Sequence, residues 1–306
     1  MNASVQVPPE ELRREPGARE ETPVAEEDPH RAAPPQTVID SARGWQLINV
    51  RELWRFRELI CFLVWRDVKI RYKQTVLGAA WAILQPAMMM VVMTIFFAHL
   101  AQVSSGGMPY YVFVYAGLLP WTFFATAIAN SANSIVGAER LITKIYFPRL
   151  AIPFASVGAA VVDFVVAFGL LVVLMLWEGI APGLNVLLMP LIFGVMVLAA
   201  VGVGTLLAAL NVSYRDFRYV VPFMIQVWMF ATPTIYMQPP EGGSVIGRLL
   251  LTLNPMAGLI AAFRASCLGG EIPWGQFATS TAMVVVVFLA GCLYFRKVED
   301  SFADVI

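Results

Sequence analysis

The residues best suited to chemistry form a cationic strip, RDVKIRYK at positions 66–73, in which one aspartate opposes four positive charges. These four cations are Arg66, Lys69, Arg71 and Lys73. Arginine binds phosphate through parallel hydrogen bonds, and anionic lipid headgroups attract both residue types at a membrane surface. Residues 76–100 follow without a single Asp, Glu, Lys or Arg. The strip therefore predicts a phosphate-binding or orienting segment directly before a membrane span.

Catalytic and metal-binding patterns are missing from the sequence. It contains no GxxxxGK[ST], HExxH or GxSxG motif and only two histidines. A catalytic centre normally gathers acids or histidines, so we predict no catalytic residue and no metal site. Asp163 is the one charged residue well inside a predicted span. A single acid is a poor proton relay, and we expect it to pair with a polar group on a neighbouring helix.

Aromatic residues are concentrated in PYYVFVYAGLLPWTFF, positions 109–124. Aromatic faces stack on sugar rings, but aromatic residues are also typical of the belt at a membrane boundary. We expect Tyr110 and Tyr111 to belong to such a belt. For the deeper residues the sequence leaves both a belt and the lining of a sugar channel open: Tyr115, Trp121, Phe123 and Phe124.

The composition indicates an all-α polytopic membrane protein. Of the 306 residues, 58% are hydrophobic and 14% are charged, whereas about a quarter of the residues in a soluble domain are charged. Fourteen Lys and Arg residues beyond the tail lie on the N-terminal side of the membrane and two on the other, which predicts cytoplasmic termini. Apolar runs long enough to cross the bilayer predict six transmembrane helices, at about 77–100, 110–136, 150–177, 184–210, 220–237 and 277–295.

Three other segments complete the predicted organisation. Residues 1–45, with nine acids and seven prolines, predict a disordered tail. Residues 50–72 have apolar side chains at helical spacing and predict an amphipathic interface helix on the cytoplasmic leaflet. In residues 238–275, Asn254 and Pro255 divide an apolar run, which predicts a re-entrant pair of short helices before the last span, with an exterior hairpin as the alternative. Residues 46–306 then form one transmembrane domain.

Two loops on the predicted cytoplasmic side carry more apolar and charged side chains than orientation requires. They are GAERLITKIYFPRL at 137–150, predicted as a short amphipathic helix, and NVSYRDFRY at 211–219. A transporter that lacks its own nucleotide-binding loop needs a surface that docks on a soluble partner. The candidate docking residues are Glu139, Arg140, Lys144, Tyr146, Phe147, Arg149, Arg215 and Asp216.

Five ordered motifs within residues 45–300 resemble the permease subunits of ABC-2-type polysaccharide exporters, in particular the O-antigen and lipopolysaccharide branch. The motifs are RDVKIRYKQTVLGAAWAILQP, GLLPWTFFATAIANSANSIVG, ITKIYFPRLAIP, NVSYRDFRYVVPF and LNPMAGLIAAFR. The resemblance implies a homodimer in the bacterial inner membrane with two copies of a separate ABC ATPase. ATP and Mg²⁺ would belong to that ATPase, with no cofactor on this chain and no nucleic-acid partner.

The resemblance also implies roles for the candidate residues. The substrate would be a polysaccharide on undecaprenyl pyrophosphate, and the cationic strip would receive the pyrophosphate among the membrane lipids. The deeper aromatic residues at 115–124 would line the glycan channel. The loop at 139–149 would correspond to the coupling helix that transmits closure of the ATPase, and the loop around Arg215 and Asp216 would be a second contact.

Other functions remain open at this point. A capsule or teichoic-acid permease, or a small-molecule exporter of the same architecture, would share these features. A membrane-embedded transferase would need clustered acids or histidines at one membrane face, which the sequence lacks. A stand-alone channel or carrier would not need the docking loops.

Overall fold

We describe a computed structural model that covers residues 50–73, 75, 78, 80–100, 107–145, 147–234, 251–299 and 302. All of them belong to one compact unit, Arg43–Ile306. Throughout these residues the regular structure is helical, without a strand, which confirms the predicted all-α class. The predicted tail, residues 1–45, lies outside the described residues.

Ten α-helices follow one another in the described ranges, together with a π-helical turn, Thr94–Leu100, and a 3-10 turn, Leu184–Leu188. The α-helices are α1 (Val50–Arg55), α2 (Arg57–Tyr72), α3 (Ala80–Met93), α4 (Tyr110–Gly137), α5 (Glu139–Ile142), α6 (Ala151–Trp177), α7 (Met189–Ser213), α8 (Phe217–Phe230), α9 (Pro255–Leu268) and α10 (Trp274–Val298).

Five of the six predicted spans correspond to helices long and apolar enough to cross a membrane. These are Ala80–Phe97, Tyr110–Gly137, Ala151–Trp177, Leu184–Ser213 and Trp274–Val298, so the chain is a multi-pass membrane protein. The predicted span 220–237 corresponds to α8, which has 14 residues. A helix of that length is about 21 Å long and is too short to cross a bilayer alone. Because residues 235–250 lie outside the described part, the number of spans stays a prediction.

Helix α4 is the centre of the bundle and packs against α3, α6, α7, α8 and α9. Its contact with α7 is close because Gly204 has no side chain: a Cβ there would lie 2.5 Å from the Ser131 hydroxyl oxygen. Helices α7 and α10 approach in the same way, since a Cβ on Gly291 would lie 2.3 Å from the Gly202 carbonyl oxygen. Small residues of this kind allow helix packing in a membrane, where the lipid provides no hydrophobic force between helices.

One end of the bundle, which we call the cationic end, brings both predicted docking loops together. An apolar cluster at this end includes Ile135, Phe147, Val212 and Phe295 and so joins α4, α6, α7 and α10. Side chains of α1 and α2, including Ile60, pack against the same cluster. The loops at 137–150 and 211–219 are therefore neighbours. Both loops carry cations, which gives this end its name.

Helix α2 follows α6 from the cationic end toward the middle of that helix. Val64 lies over Gly158, where a Cβ would be 2.7 Å from a Val64 methyl group, and farther along Arg71 contacts Asp163. The two helices therefore run in the same direction. The helical part of the interface-helix prediction is confirmed for α1 and α2, whereas their position on the cytoplasmic leaflet stays a prediction.

Helix α9 is a short helix held inside the bundle. The Asn254 side chain accepts a hydrogen bond from the Met256 backbone at 3.1 Å and so caps its start. Gly269, with φ of 76°, ends it in the left-handed conformation that favours glycine. Most of its side chains are buried against α4, α7 and α10. The choice between a re-entrant pair and an exterior hairpin stays a prediction. The first helix of the predicted re-entrant pair falls largely outside the described residues.

Candidate functional site

An ion pair joins α2 to the middle of α6. The Arg71 guanidinium donates to Oδ2 of Asp163, and the Tyr72 hydroxyl donates to Oδ1 of the same carboxylate. Burial raises the pKa of Tyr72, while the charge of Arg71 lowers it to a smaller extent, so the phenol stays protonated as a donor. The prediction that Asp163 pairs with a polar group on a neighbouring helix is confirmed.

The other cations of the strip differ from Arg71 in their surroundings. Arg66 donates to the adjacent Asp67 at 2.8 and 3.0 Å, whereas Lys69 and Lys73 are exposed. Lys69 and Arg71 lie in the last turn of α2 and Lys73 directly after it, where the negative end of the helix dipole favours cations. Near the end of α2 the structure therefore places Arg71, which is paired with Asp163 of another helix, close to the exposed ammonium groups of Lys69 and Lys73. Binding of phosphate by the strip stays a prediction.

Two pockets, of ≈ 250 and ≈ 380 Å³, adjoin the ion pair, and both are lined by Arg71 and Asn130. We call them together the polar groove. The polar residues of its wall on α4 lie three or four positions apart and so face one side of the helix: Thr122, Thr126, Asn130 and Asn133. The other walls come from α2, α3 and α6, and their polar or aromatic residues are Asp67, Arg71, Tyr72, Trp81, Gln85, Ser156, Asp163 and Phe164.

The hydrogen bonds of this α4 wall leave one amide donor unused. Thr122 donates to the Leu119 carbonyl at 2.9 Å, and Asn133 accepts from Asn211 at 3.2 Å. The Asn130 side-chain nitrogen is buried and has no hydrogen-bond partner among the described residues. This wall was not predicted from the sequence. The signal was available as Thr and Asn recurring at helical spacing inside a predicted span.

The four deep aromatic residues of α4 pack inside this subunit. Tyr115 donates to the Ala167 carbonyl at 2.9 Å. Trp121 and Phe124 both lie against Trp228 of α8, with ring centroids 6.3 and 5.2 Å apart. Phe123 packs against Phe193 of α7 and also lines the polar groove. All four are buried, and a channel-lining role for them stays a prediction.

A second arginine, Arg264 of α9, occupies the bundle away from the strip. Its guanidinium carbon lies 3.8 Å from the ring centroid of Phe113, and the side chain donates to the Thr234 carbonyl at 2.8 Å. Gly117 makes room for both groups, since a Cβ there would lie 2.1 Å from the guanidinium and 2.2 Å from that carbonyl oxygen. Arg264 is one of the two cations that the sequence places on the far side of the membrane, and these contacts were not predicted from the sequence.

The predicted docking loops expose most of their charges at the cationic end. Glu139, Arg140 and Lys144 are exposed, as are Arg215 and Asp216 of the second loop. The helix predicted for the first loop is a single turn, α5. In the same loop Phe147 is buried in the apolar cluster and Arg149 is partly buried, while Tyr146 lies outside the described residues. Docking on a partner stays a prediction.

The described ranges contain no group of three or more His, Cys, Asp or Glu residues placed to hold a metal ion.

Comparison with known proteins assigns the chain to a family. The family described as ABC-2 type transporter matches residues 58–268. The O-antigen export system permease protein RfbA of Myxococcus xanthus is 32% identical over 256 residues, which are 83% of this chain and 98% of that protein. A protein of the same name from Klebsiella pneumoniae is 28% identical over 252 residues, 81% of this chain and 95% of the relative. The polysialic acid transport protein KpsM of Escherichia coli is 21% identical over 241 residues, 77% of this chain and 92% of the relative.

Proposed function

Because this chain belongs to the ABC-2 type transporter family, we propose that it is the membrane subunit of an ATP-driven exporter of O-antigen-type polysaccharide. The observation that carries the proposal is the similarity to the Myxococcus xanthus O-antigen permease, which extends over 98% of that protein. The substrate is a glycan linked to undecaprenyl pyrophosphate. It moves from the cytoplasmic leaflet of the bacterial inner membrane toward the outer side.

The proposed assembly contains two copies of this chain, each with six spans and cytoplasmic termini, and two copies of a separate ABC ATPase. Family membership supports the ATPase partner, since ABC transporters are driven by such subunits. The clustering of both docking loops at one cationic end supports its position. Exposed Glu139, Arg140, Lys144, Arg215 and Asp216 bind the ATPase there, and α5 is the coupling helix.

The cationic strip holds the lipid pyrophosphate in this proposal. Lys69 and Lys73 are exposed and attract the anion to the C-terminal end of α2. Arg66 and Arg71 already bind carboxylates, and a guanidinium that binds a carboxylate can bind a phosphate with the same geometry. The pyrophosphate therefore replaces Asp67 and Asp163 as the partner of these arginines. Closure of the ATPase then shifts the subunit pair toward an open channel.

The second candidate substrate is a capsule polysaccharide, which the similarity to the polysialic acid transport protein of Escherichia coli favours at a lower identity. Both candidates are polysaccharides, and both would be exported by a transporter of the same architecture. Only the identity of the exported glycan distinguishes them.

Expression of the chain with its ATPase in a bacterium that lacks its own O-antigen permease tests the proposal. We expect long-chain O-antigen to return to the cell surface and lipid-linked glycan to disappear from the inner membrane. A parallel host that lacks its capsule permease tests the second candidate. Failure in both hosts, with the complex present in the membrane and hydrolysing ATP, would contradict polysaccharide export.

A further inference from the structure

We infer that the polar groove binds the sugar residue attached directly to the lipid pyrophosphate, with Asn130 as the central hydrogen-bonding residue. The inference rests on the proposed function, in which Arg71 holds the pyrophosphate. Beyond that function, it assigns a binding site to the polar groove of this chain and names a sugar as the group that binds there.

Chemical connectivity places the first sugar beside Arg71. In a glycan linked through pyrophosphate, the first sugar is bonded directly to a phosphate oxygen. A sugar whose phosphate contacts Arg71 must therefore occupy the space next to that guanidinium. Both pockets of the polar groove are such spaces, because Arg71 lines each of them.

The walls of the groove match the chemistry of a sugar. Thr126, Asn130 and Gln85 offer uncharged donors and acceptors for hydroxyl groups. Trp81 and Phe123 line the same pocket and offer aromatic faces for the C–H groups of a sugar ring. A few convergent polar groups beside aromatic side chains are typical of small-ligand sites.

The unused donor of Asn130 points to a ligand. Its side-chain nitrogen is buried and has no hydrogen-bond partner in the part of the chain that the structure describes. Asn130 lines both pockets of the groove, so its amide donates to a sugar hydroxyl once it turns toward the groove. Polar residues inside membrane spans also commonly mark the path of a substrate.

The test uses the full transporter with its ATPase in lipid nanodiscs and measures ATP hydrolysis. The complex is titrated with undecaprenyl pyrophosphate and with the same lipid bearing one N-acetylglucosamine. We expect the wild type to respond to the sugar-bearing lipid at a concentration about tenfold lower, the effect of one or two hydrogen bonds. Asn130→Leu is expected to abolish this preference and to keep the response to the sugar-free lipid.

Two further variants and a control keep the result interpretable. Thr126→Val and Gln85→Leu each remove a polar group of the groove and are expected to reduce the preference in part, so the test stands if Asn130→Leu fails to fold. Ser134→Ala is the matched control on α4, since Ser134 donates to the Ser131 carbonyl and lines neither pocket of the groove. It is expected to keep the full preference.

The possible outcomes separate the two proposals. A wild type that responds to neither lipid overturns the proposed function and this inference together. A wild type that responds equally to both lipids overturns the inference alone. The same holds if the folded groove variants keep the preference of the wild type.

Discussion

Arg71 and Arg264 are both packed against apolar helices of one bundle, but they have different partners. Arg71 meets the carboxylate of Asp163 beside the polar groove. Arg264 lies over the Phe113 ring and donates to the Thr234 carbonyl. Within the described ranges, Arg264 has no carboxylate at ion-pair distance.

This difference indicates separate roles. A ring and a backbone carbonyl are fixed parts of the protein, and their contacts with a guanidinium hold α9 against α4 and against the turn that follows α8. A carboxylate beside a cavity can be replaced by another anion that enters the cavity. We therefore expect changes at Arg264 to affect stability and changes at Arg71 to affect transport. Two predictions test this comparison, and two smaller ones test the packing of α2 and the docking surface.

The largest expected effect is the loss of export in Arg71→Gln, because the variant removes the proposed phosphate partner. Arg71→Gln also leaves Asp163 without its cation, and an unpaired charge in the bundle destabilises the protein. In the double variant Arg71→Gln with Asp163→Asn that charge is gone. We expect the double variant to regain thermal stability in detergent but not export of glycan to the cell surface.

Arg57→Gln is the matched control for this change. Arg57 is an exposed cation of the same helix and contacts Trp54, away from the groove. It is expected to export at the wild-type level. Wild-type export by the double variant at Arg71 and Asp163 would remove Arg71 from the substrate site.

The next effect is a loss of stability in Gly117→Ala. The new methyl group would lie at 2.1 Å from the Arg264 guanidinium and 2.2 Å from the Thr234 carbonyl oxygen, so these groups must separate. Overpacking of this kind costs typically about 1–3 kcal/mol, and we expect the melting temperature of the purified protein to fall by several degrees. Gly169→Ala is the control, since a Cβ there meets nothing within 4 Å. Equal melting temperatures for the two variants would show that the packing of Arg264 does not require the space beside Gly117.

A smaller effect is expected for Gly158→Ala, which places a methyl group 2.7 Å from Val64. The contact is with the end of a side chain, so α2 can shift slightly away from α6. We expect a modest fall in melting temperature and its recovery in the double variant Gly158→Ala with Val64→Ala, measured as a double-mutant cycle. Purely additive effects would contradict the packing of α2 along α6.

The smallest effect on stability is expected for Arg140→Ala combined with Lys144→Ala. Both side chains are exposed, and changes at exposed positions usually stay within about 0.5 kcal/mol. The melting temperature of the membrane subunit should therefore be unchanged, whereas the amount of ATPase that copurifies with it should fall. Retention of the full amount of ATPase would place the docking surface elsewhere on the cationic end.

The sequence predicts the helices better than it predicts their contacts. Runs without charge identified five spans to within a few residues, because the bilayer requires a continuous apolar helix of fixed length. It also predicted that Asp163 would be paired, since a lone acid in an apolar helix is unfavourable. It could not identify Arg71 and Tyr72 as the partners, because they are 92 and 91 residues away along the chain.

The aromatic and polar residues of α4 show the same limit. The residue types can be read from the sequence, and the concentration of aromatic residues favoured Tyr115, Trp121, Phe123 and Phe124 as site residues. Which side of α4 faces a cavity depends on how α2, α3 and α6 surround it. The cavity lies beside Thr122, Phe123, Thr126 and Asn130, and of these only Phe123 was predicted from the sequence as a site residue.

By itself, then, the sequence determined a multi-pass helical membrane protein, a cationic strip before its first span and the motifs of an ABC-2 permease. Hydropathy and local charge are properties of single segments, so they can be interpreted without the fold. Tertiary structure alone decided that Arg71 meets Asp163, that Arg264 stacks on Phe113 and that an unused amide of Asn130 lies beside the polar groove. Each of these contacts joins helices that are far apart in the sequence. It therefore depends on how the helices pack, and a single segment carries no information about that.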